Sequence, residues 1–410
     1  MTDIRSRLGF QPQALLWIGL PFLSLLAGCG SSDEKGGPQI VDARPMSGVW
    51  GIIAAEGRTV AVAYSGPLDT PDAGIYLVHS NDGGASFDPA KRVLVDAAHG
   101  IPKDLTVAGG SIYVTYQAFV GSSYEVRIAR SDDGGQHFAV QSVANGVGPA
   151  LLVSGATLYL AYNPYGQRES GAPLFQRSDD RGLTWSPAAV VSATATTGPL
   201  SVSGVLDRIL SLGASGGNLY LSFYEGLSNT QMMAHSSDSG ENWTVEAGQN
   251  LLATGPLVTV GDDVVLPMVD VQNRSFTCQS HDHGATWTPH PFDVAGGEHG
   301  NYPVDDVLDS AVAGPRLVSA GSRLYALFNQ PSIEDNLTPV GFARSDDQGA
   351  TWPAASVVTV FTPDSAFNEY PVERAQIVVS SAPVPALLTA VFDGTHLRVL
   401  RSTDDGATWR

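Results

Sequence analysis

Residues 345–352 read Ser-Asp-Asp-Gln-Gly-Ala-Thr-Trp, and the same frame, Ser-x-Asp-x-Gly-x-x-aromatic, recurs six more times in the 410-residue chain. The other copies begin at Ser80 (SNDGGASF), Ser131 (SDDGGQHF), Ser178 (SDDRGLTW), Ser236 (SSDSGENW), Ser280 (SHDHGATW) and Ser402 (STDDGATW). Successive copies lie 51, 47, 58, 44, 65 and 57 residues apart. Each interval holds one four-stranded antiparallel unit with its loops, which is how a radially repeated β architecture reads in sequence.

The octet makes sense as a hairpin turn. Its Ser hydroxyl and Asp carboxylate can accept bonds from N–H groups of their own turn, and its Gly supplies a positive φ that a Cβ disfavours. The closing aromatic is Phe87, Phe138, Trp185, Trp243, Trp287, Trp352 or Trp409, placed to act as a wedge near the edge of its unit. Upstream of the turns lie pairs of apolar, β-branched runs around a glycine. Leu105-Thr106-Val107 before Ser111-Ile112-Tyr113-Val114-Thr115-Tyr116 is one pair, and residues 150–153 before 157–162 is another. A third strand leads into each octet and a fourth leaves it, as in Arg92-Val93-Leu94-Val95. The last octet ends at Trp409, so the last unit lacks sequence for an outer strand. Gln39-Ile40-Val41 is placed to fill that position and close the ring, since an open ring leaves an unpaired edge.

The octet resembles the Asp-box, or BNR repeat, of sialidase-superfamily propellers, and the resemblance covers nearly all of residues 39–410. It implies an all-β fold, a seven-bladed (alternatively six-bladed) β-propeller of four-stranded antiparallel blades closed by the N-terminal strand.

Composition bounds what such a domain meets. Lys and Arg number 22 against 41 Asp and Glu, a formal net charge of −19, which repels polyanions and argues against a nucleic-acid partner. Arg5 and Arg7 precede an apolar run, Ala14 to Leu25, of signal-peptide length. The run ends in Leu26-Ala27-Gly28-Cys29, which resembles the bacterial lipobox. The expected organisation is a lipoprotein signal peptide and lipidated Cys29 in 1–29, a flexible tether in 30–38, and the propeller in 39–410. Acyl chains on Cys29 make a membrane the first partner, and Gly30 rather than Asp after Cys29 points to the outer membrane of the envelope. Cys278 is then the only other cysteine, so no intrachain disulfide is expected, and the chain is read as a monomer.

Strand order puts the octets on the face opposite the loops between blades and between strands two and three, so a site is sought on that second face. The sialidase resemblance implies an arginine motif at the start of blade one and two later arginines, because bidentate guanidinium pairing selects a carboxylate. Ser47-Gly48-Val49-Trp50 stands where the first arginine belongs, and Arg44 would need a register shift to replace it. The remaining catalytic candidates are Arg208, Arg274 and Arg374, with Asp69 or Asp72 as acid/base and Tyr370 beside Glu369 or Glu373 as nucleophile. Asp207, Asp305, Asp306 and Glu373 would supply carboxylates for a neutral glycan.

One echo stands apart from the octets: Asn301-Tyr302-Pro303-Val304-Asp305-Asp306 and Glu369-Tyr370-Pro371-Val372-Glu373 share Tyr-Pro-Val-acid before inner strands of successive blades. It marks Tyr302, Asp305, Asp306, Glu369, Tyr370 and Glu373 as an aromatic and acidic binding surface, or else as a proline-set loop conformation used twice. Cys278, His281, His283 and His290 lack a recognised four-ligand spacing, so neither metal nor other cofactor is expected. Two readings stay open. One is an envelope module that binds a glycan or an envelope protein, and the other is an exo-acting glycoside hydrolase of sialidase type.

Overall fold

The computed structural model describes residues 38–44, 51–67, 70, 72–165, 172–192, 211–225, 230–247, 252–253, 255–270, 274–292, 294, 315–330, 339–362, 376–381, 384–393 and 395–410. Their regular structure is β throughout, apart from short 3-10 turns at Pro89–Lys91 and Ala354–Ser356. After β1 (Gln39–Ile40), the first antiparallel sheet runs in chain order through β2 (Gly51–Glu56), β3 (Thr59–Ser65), β4 (Ile75–Ser80) and β5 (Val93–Asp96). The next is one continuous sheet: β6 (Gly100–Ala108), β7 (Ser111–Val120), β8 (Ser123–Ser131), β9 (Ala139–Ser154), β10 (Thr157–Pro164), β11 (Leu174–Ser178) and β12 (Ala189–Val190). It contains two four-stranded units, because β9 pairs β8 through Ala139 to Asn145 and then β10 through Gly146 to Ser154.

Four further sheets follow. They are β13 (Ser211–Ser215), β14 (Asn218–Glu225), β15 (Thr230–Ser236) and β16 (Thr244–Ala247); then β17 (Leu252–Ala253) and β18 (Val258–Val260), both paired to β19 (Asp263–Val269), with β20 (Ser275–Ser280) and β21 (Thr288–Pro291). β22 (Arg316–Ala320), β23 (Arg323–Asn329), β24 (Val340–Ser345) and β25 (Val358–Phe361) come next, and β26 (Gln376–Ser380), β27 (Ala386–Phe392) and β28 (Leu397–Ser402) last. The outer edge of the last sheet is taken by β1, with Gln39 opposite Val399 and Ile40 opposite Arg398. The pairing expected of the N-terminal segment is therefore present. The Gln39 side chain reinforces it by accepting the Phe87 N–H at 2.8 Å and donating to the Ala85 carbonyl.

The small sheets form a propeller arrangement because each buries both faces against its neighbours. Val60, Val62 and Tyr64 of the first sheet pack on Leu388, Ala390 and Val399 of the last, while Ala61, Ala63 and Leu77 on its other face meet Ile112, Val114 and Tyr116. Double-sided burial explains why the second strands read as unbroken apolar runs instead of alternating. Inner strands of neighbouring units are not laddered together, so side chains bridge them. The Ile53 N–H donates to Gln376 Oε1 (3.1 Å), the Leu151 N–H to Asp104 Oδ2 (3.0 Å) and the Leu257 N–H to Ser211 Oγ (2.8 Å). Without these partners, backbone N–H groups facing the next unit would be buried unpaired.

The seven octets share one geometry. In each, the Ser Oγ accepts the N–H of the Gly four residues on, at 2.7–3.1 Å, and the Ser hydroxyl donates to the Asp Oδ1. Asp404 shows the cause of its own ionisation. Hydrogen bonds from the Thr408 hydroxyl and N–H and from Ser402 hold its pKa at about 2. The residue before each octet Gly is left-handed as well, and the five non-glycine residues with positive φ among the described residues (Arg181, Ser239, His283, Gln348 and Asp405) all occupy this position. Each costs about 1 kcal/mol of backbone strain, offset by the turn's own hydrogen bonds. The closing aromatics wedge between units rather than at the edge of their own. Trp243 packs on Phe175 and Trp409 on Phe342, with ring centroids 5.1 and 5.4 Å apart.

Candidate functional site

The octets lie beside the turns between first and second strands: the Gly83 N–H donates to the Arg58 carbonyl at 2.8 Å, and the Arg181 N–H to the Ala156 carbonyl at 3.0 Å. The opposite face carries the turns between second and third strands and the crossings between units. There β7 and β8 run past the length of other such pairs and meet at Gly121, whose φ of +62° lets the chain reverse. The register sets Phe119 opposite Tyr124, with ring centroids 4.1 Å apart in an edge-on arrangement.

On one side of Phe119 is His99, just ahead of β6, stacked at 5.9 Å with the rings 15° from parallel. The Phe119 N–H donates to the His99 carbonyl at 2.8 Å and fixes that pair. On the other side Tyr124 meets Tyr165, at the end of β10 in the next unit, at 5.0 Å. The result is a row, His99, Phe119, Tyr124, Tyr165, that starts at an inner strand, runs outward and crosses into the neighbouring unit. Phe119 is 45% exposed, and it is the one Phe, Tyr or Trp in the exposed class among the described residues. Each ring contact contributes roughly 0.5–1.5 kcal/mol beyond the area buried, so the exposed ring is held in place rather than loose.

Beside the row, on the other face of the same hairpin, Arg127 spans Asp96 and Glu125, each at 2.9 Å, and the Tyr116 hydroxyl donates to Asp96 at 2.6 Å. Burial of Asp96 works against its ionisation but is outweighed by these bonds and the Ala98 N–H, so its pKa lies below the ordinary value. The inner strand of this unit carries a different carboxyl. Asp104 follows the bulge in β6, and burial, partly offset by the N–H groups of Leu151 and Leu105, pushes its pKa up to about 7.

Two of the catalytic candidates fall on described residues. Arg274 lies 69% exposed, with its guanidinium closed on Asp270 at 2.6 Å and its N–H donated to the same carboxylate at 2.9 Å. Asp72 meets Arg44, the arginine set aside in the sequence reading, at 3.1 Å. Arg44 also grips buried Asp42, donating from Nη2 at 2.6 Å, and lies 4.9 Å from the centre of the Tyr76 ring. Tyr64 donates to Asp42 at 2.9 Å, so the group ties the segment after β1 to the first sheet. Arg274 and Arg44 are thus both engaged by carboxylates of their own neighbourhood. Arg208, Arg374, Asp69, Tyr370, Tyr302, Asp207, Asp305, Asp306, Glu369, Glu373 and Cys29 lie outside the described residues. Cys278 is buried on β20 with its thiol pushed up to about 12 by desolvation. His281 pairs with Asp263 at 2.6 Å, and His283 bonds the Tyr220 hydroxyl at 2.7 Å and stacks on His235.

The aromatic row was missed in the sequence, although Phe-Val-Gly-Ser-Ser-Tyr at 119–124 carried a signal: two aromatics equidistant from a glycine turn must face each other in a hairpin.

No family model and no curated protein sequence matches the chain. Among solved structures it is similar to a polysaccharide lyase, ulvan lyase, at 13% identity and a TM-score of 0.55, covering 90% of this chain and 97% of that one. It is similar also to the endosialidase of phage phi92, at 11% identity and a TM-score of 0.51, covering 90% of this chain and 69% of that one. At such identities the likeness is one of fold: this chain is an all-β propeller.

Proposed function

We propose that this protein is a lipid-anchored envelope protein whose propeller, counted as seven blades with the seven-stranded sheet taken as two, binds glycan on the face opposite the octet turns. The observation that carries the reading is the aromatic row His99, Phe119, Tyr124 and Tyr165, with Phe119 open to solvent on that face. A fixed aromatic ring offers an apolar surface to the C–H face of a sugar at little entropic cost. The two similar solved structures are a polysaccharide lyase, described as bound to -[GlcA(1-4)Rha3S]-, and an endosialidase, so this fold is used on glycans elsewhere. Binding is preferred to hydrolysis because Arg274, Arg44 and Asp72 are each in ion pairs rather than converging on an open space. Anchoring through Cys29 would place the domain at the outer membrane as a monomer, and the charge of −19 disfavours nucleic acid.

The test is retention of the full-length protein on a glycan array, with Phe119→Ala compared with Leu183→Ala, which removes an exposed apolar side chain from an octet turn. Retention lost in the first variant and kept in the second supports the reading. Retention lost only in the second places the site on the wrong face, and release of monosaccharide from a retained glycan makes the protein the exo-acting hydrolase.

A further inference from the structure

The charges around the aromatic row bear on which glycans it accepts. The described elements that build the row and its hairpin carry three cations. Arg127 is held by Asp96 and Glu125 at 2.9 Å each, Arg130 by Asp132 at 2.6 Å, and Lys103 also has a partner. Both arginines are thus already engaged by carboxylates of the protein. Asp96 and Glu125 share the single guanidinium of Arg127, which leaves this end of the hairpin with a negative excess, within a chain of net charge −19. A carboxylate or sulfate on a sugar bound along the row would be desolvated within this negative field, across the hairpin from Asp96 and Glu125, with no unengaged arginine on the described elements of the row to compensate it, and like charge of this kind is a source of discrimination.

What the row does offer suits an uncharged sugar. Phe119 has His99 against one side and Tyr124 edge-on to it, and the 45% of its surface that stays exposed is what a ligand meets. Among the described residues the Tyr165 hydroxyl has no hydrogen-bond partner, so at the outer end of the row it can donate to or accept from a sugar hydroxyl. The rings follow one another at 5.9, 4.1 and 5.0 Å, a line longer than one pyranose ring. Resting on the glycan-binding reading above, we infer that the ligand is an uncharged oligosaccharide laid along this row, with a pyranose C–H face on Phe119. This is the opposite of the anionic sugar that an arginine triad would select.

The experiment is titration calorimetry of the full-length protein with cellohexaose, xylohexaose and mannohexaose on one side, and hexagalacturonate and an oligosialate on the other, at low and high salt. The expected result is binding of at least one neutral hexaose, with affinity changed less than about twofold by salt, since no ion pair is formed. That affinity should fall about tenfold in Phe119→Ala and be restored in Phe119→Tyr, which keeps the ring and shows that folding is not the cause. An anionic oligomer that binds with steep salt dependence while the neutral ones do not would overturn the inference and leave glycan binding standing. Binding of a neutral hexaose unchanged in Phe119→Ala would overturn the assignment to this row. No binding by either set would overturn both readings.

Discussion

Replacing Asp104 by asparagine asks whether the carboxyl between two inner strands is carried at a cost. Its Oδ2 accepts the Leu151 N–H of the next unit at 3.0 Å, and burial pushes its pKa from 3.8 to about 7. At about 1.4 kcal/mol per unit, the ionised form costs the folded protein about 4 kcal/mol, an upper figure because Asp104 is only partly covered. The native state keeps the proton where the unfolded chain has released it. The contribution is therefore most favourable below pH 3.8, declines as pH rises towards about 7, and is flat beyond.

Asparagine keeps the acceptor and cannot ionise, but leaves amide hydrogens that cost about 1 kcal/mol unpaired. The variant should thus be more stable than the parent by roughly 1 kcal/mol at pH 5 and about 3 kcal/mol at pH 8. Urea midpoints followed by tryptophan fluorescence at both pH values give the comparison. The variant-minus-parent difference cancels other titrating groups such as His235, whose pKa is lowered by burial and by His283. A difference equal at pH 5 and pH 8, or a variant less stable at pH 8, would refute the reasoning.

Two further outcomes are expected. Gly240→Ala would set a Cβ 2.2 Å from the Phe175 ring at a φ of +90°, and it should cost roughly 2–4 kcal/mol in urea unfolding, whereas Gly109→Ala, in open space at +57°, should cost only about 1 kcal/mol. Asp42→Ala leaves the buried Tyr64 hydroxyl without its acceptor and Arg44 with Asp72 as its remaining carboxylate. It should speed hydrogen exchange at Val41, whose N–H donates to the Leu397 carbonyl, and raise light scattering as the last sheet's edge opens; unchanged exchange would show that β1 holds without this latch.

The sequence by itself determined the repeating unit. Seven octets at blade-length spacing declared themselves because each turn is closed by its own Ser, Asp and Gly, so the information is local and survives without any partner. The pairing of Gln39-Ile40 was legible for a similar reason: it is a short β-prone stretch ahead of the first sheet, and the edge of the last sheet, which it pairs, needs a partner. Only the tertiary structure decided the rest. The left-handed residue ahead of each octet Gly is Arg181 in one turn and His283 in another, so no residue type announces it. Asp104 reads as an ordinary strand aspartate until the ring brings Leu151 against it. Arg44 and Asp72 lie 28 residues apart and meet only because β1 wraps onto the last sheet beside the first. The aromatic row joins residues from 99 to 165 across two units. Turn chemistry acts over a few residues and is written in the chain, whereas burial, ion pairing and ring contact depend on which strands the closed ring places side by side.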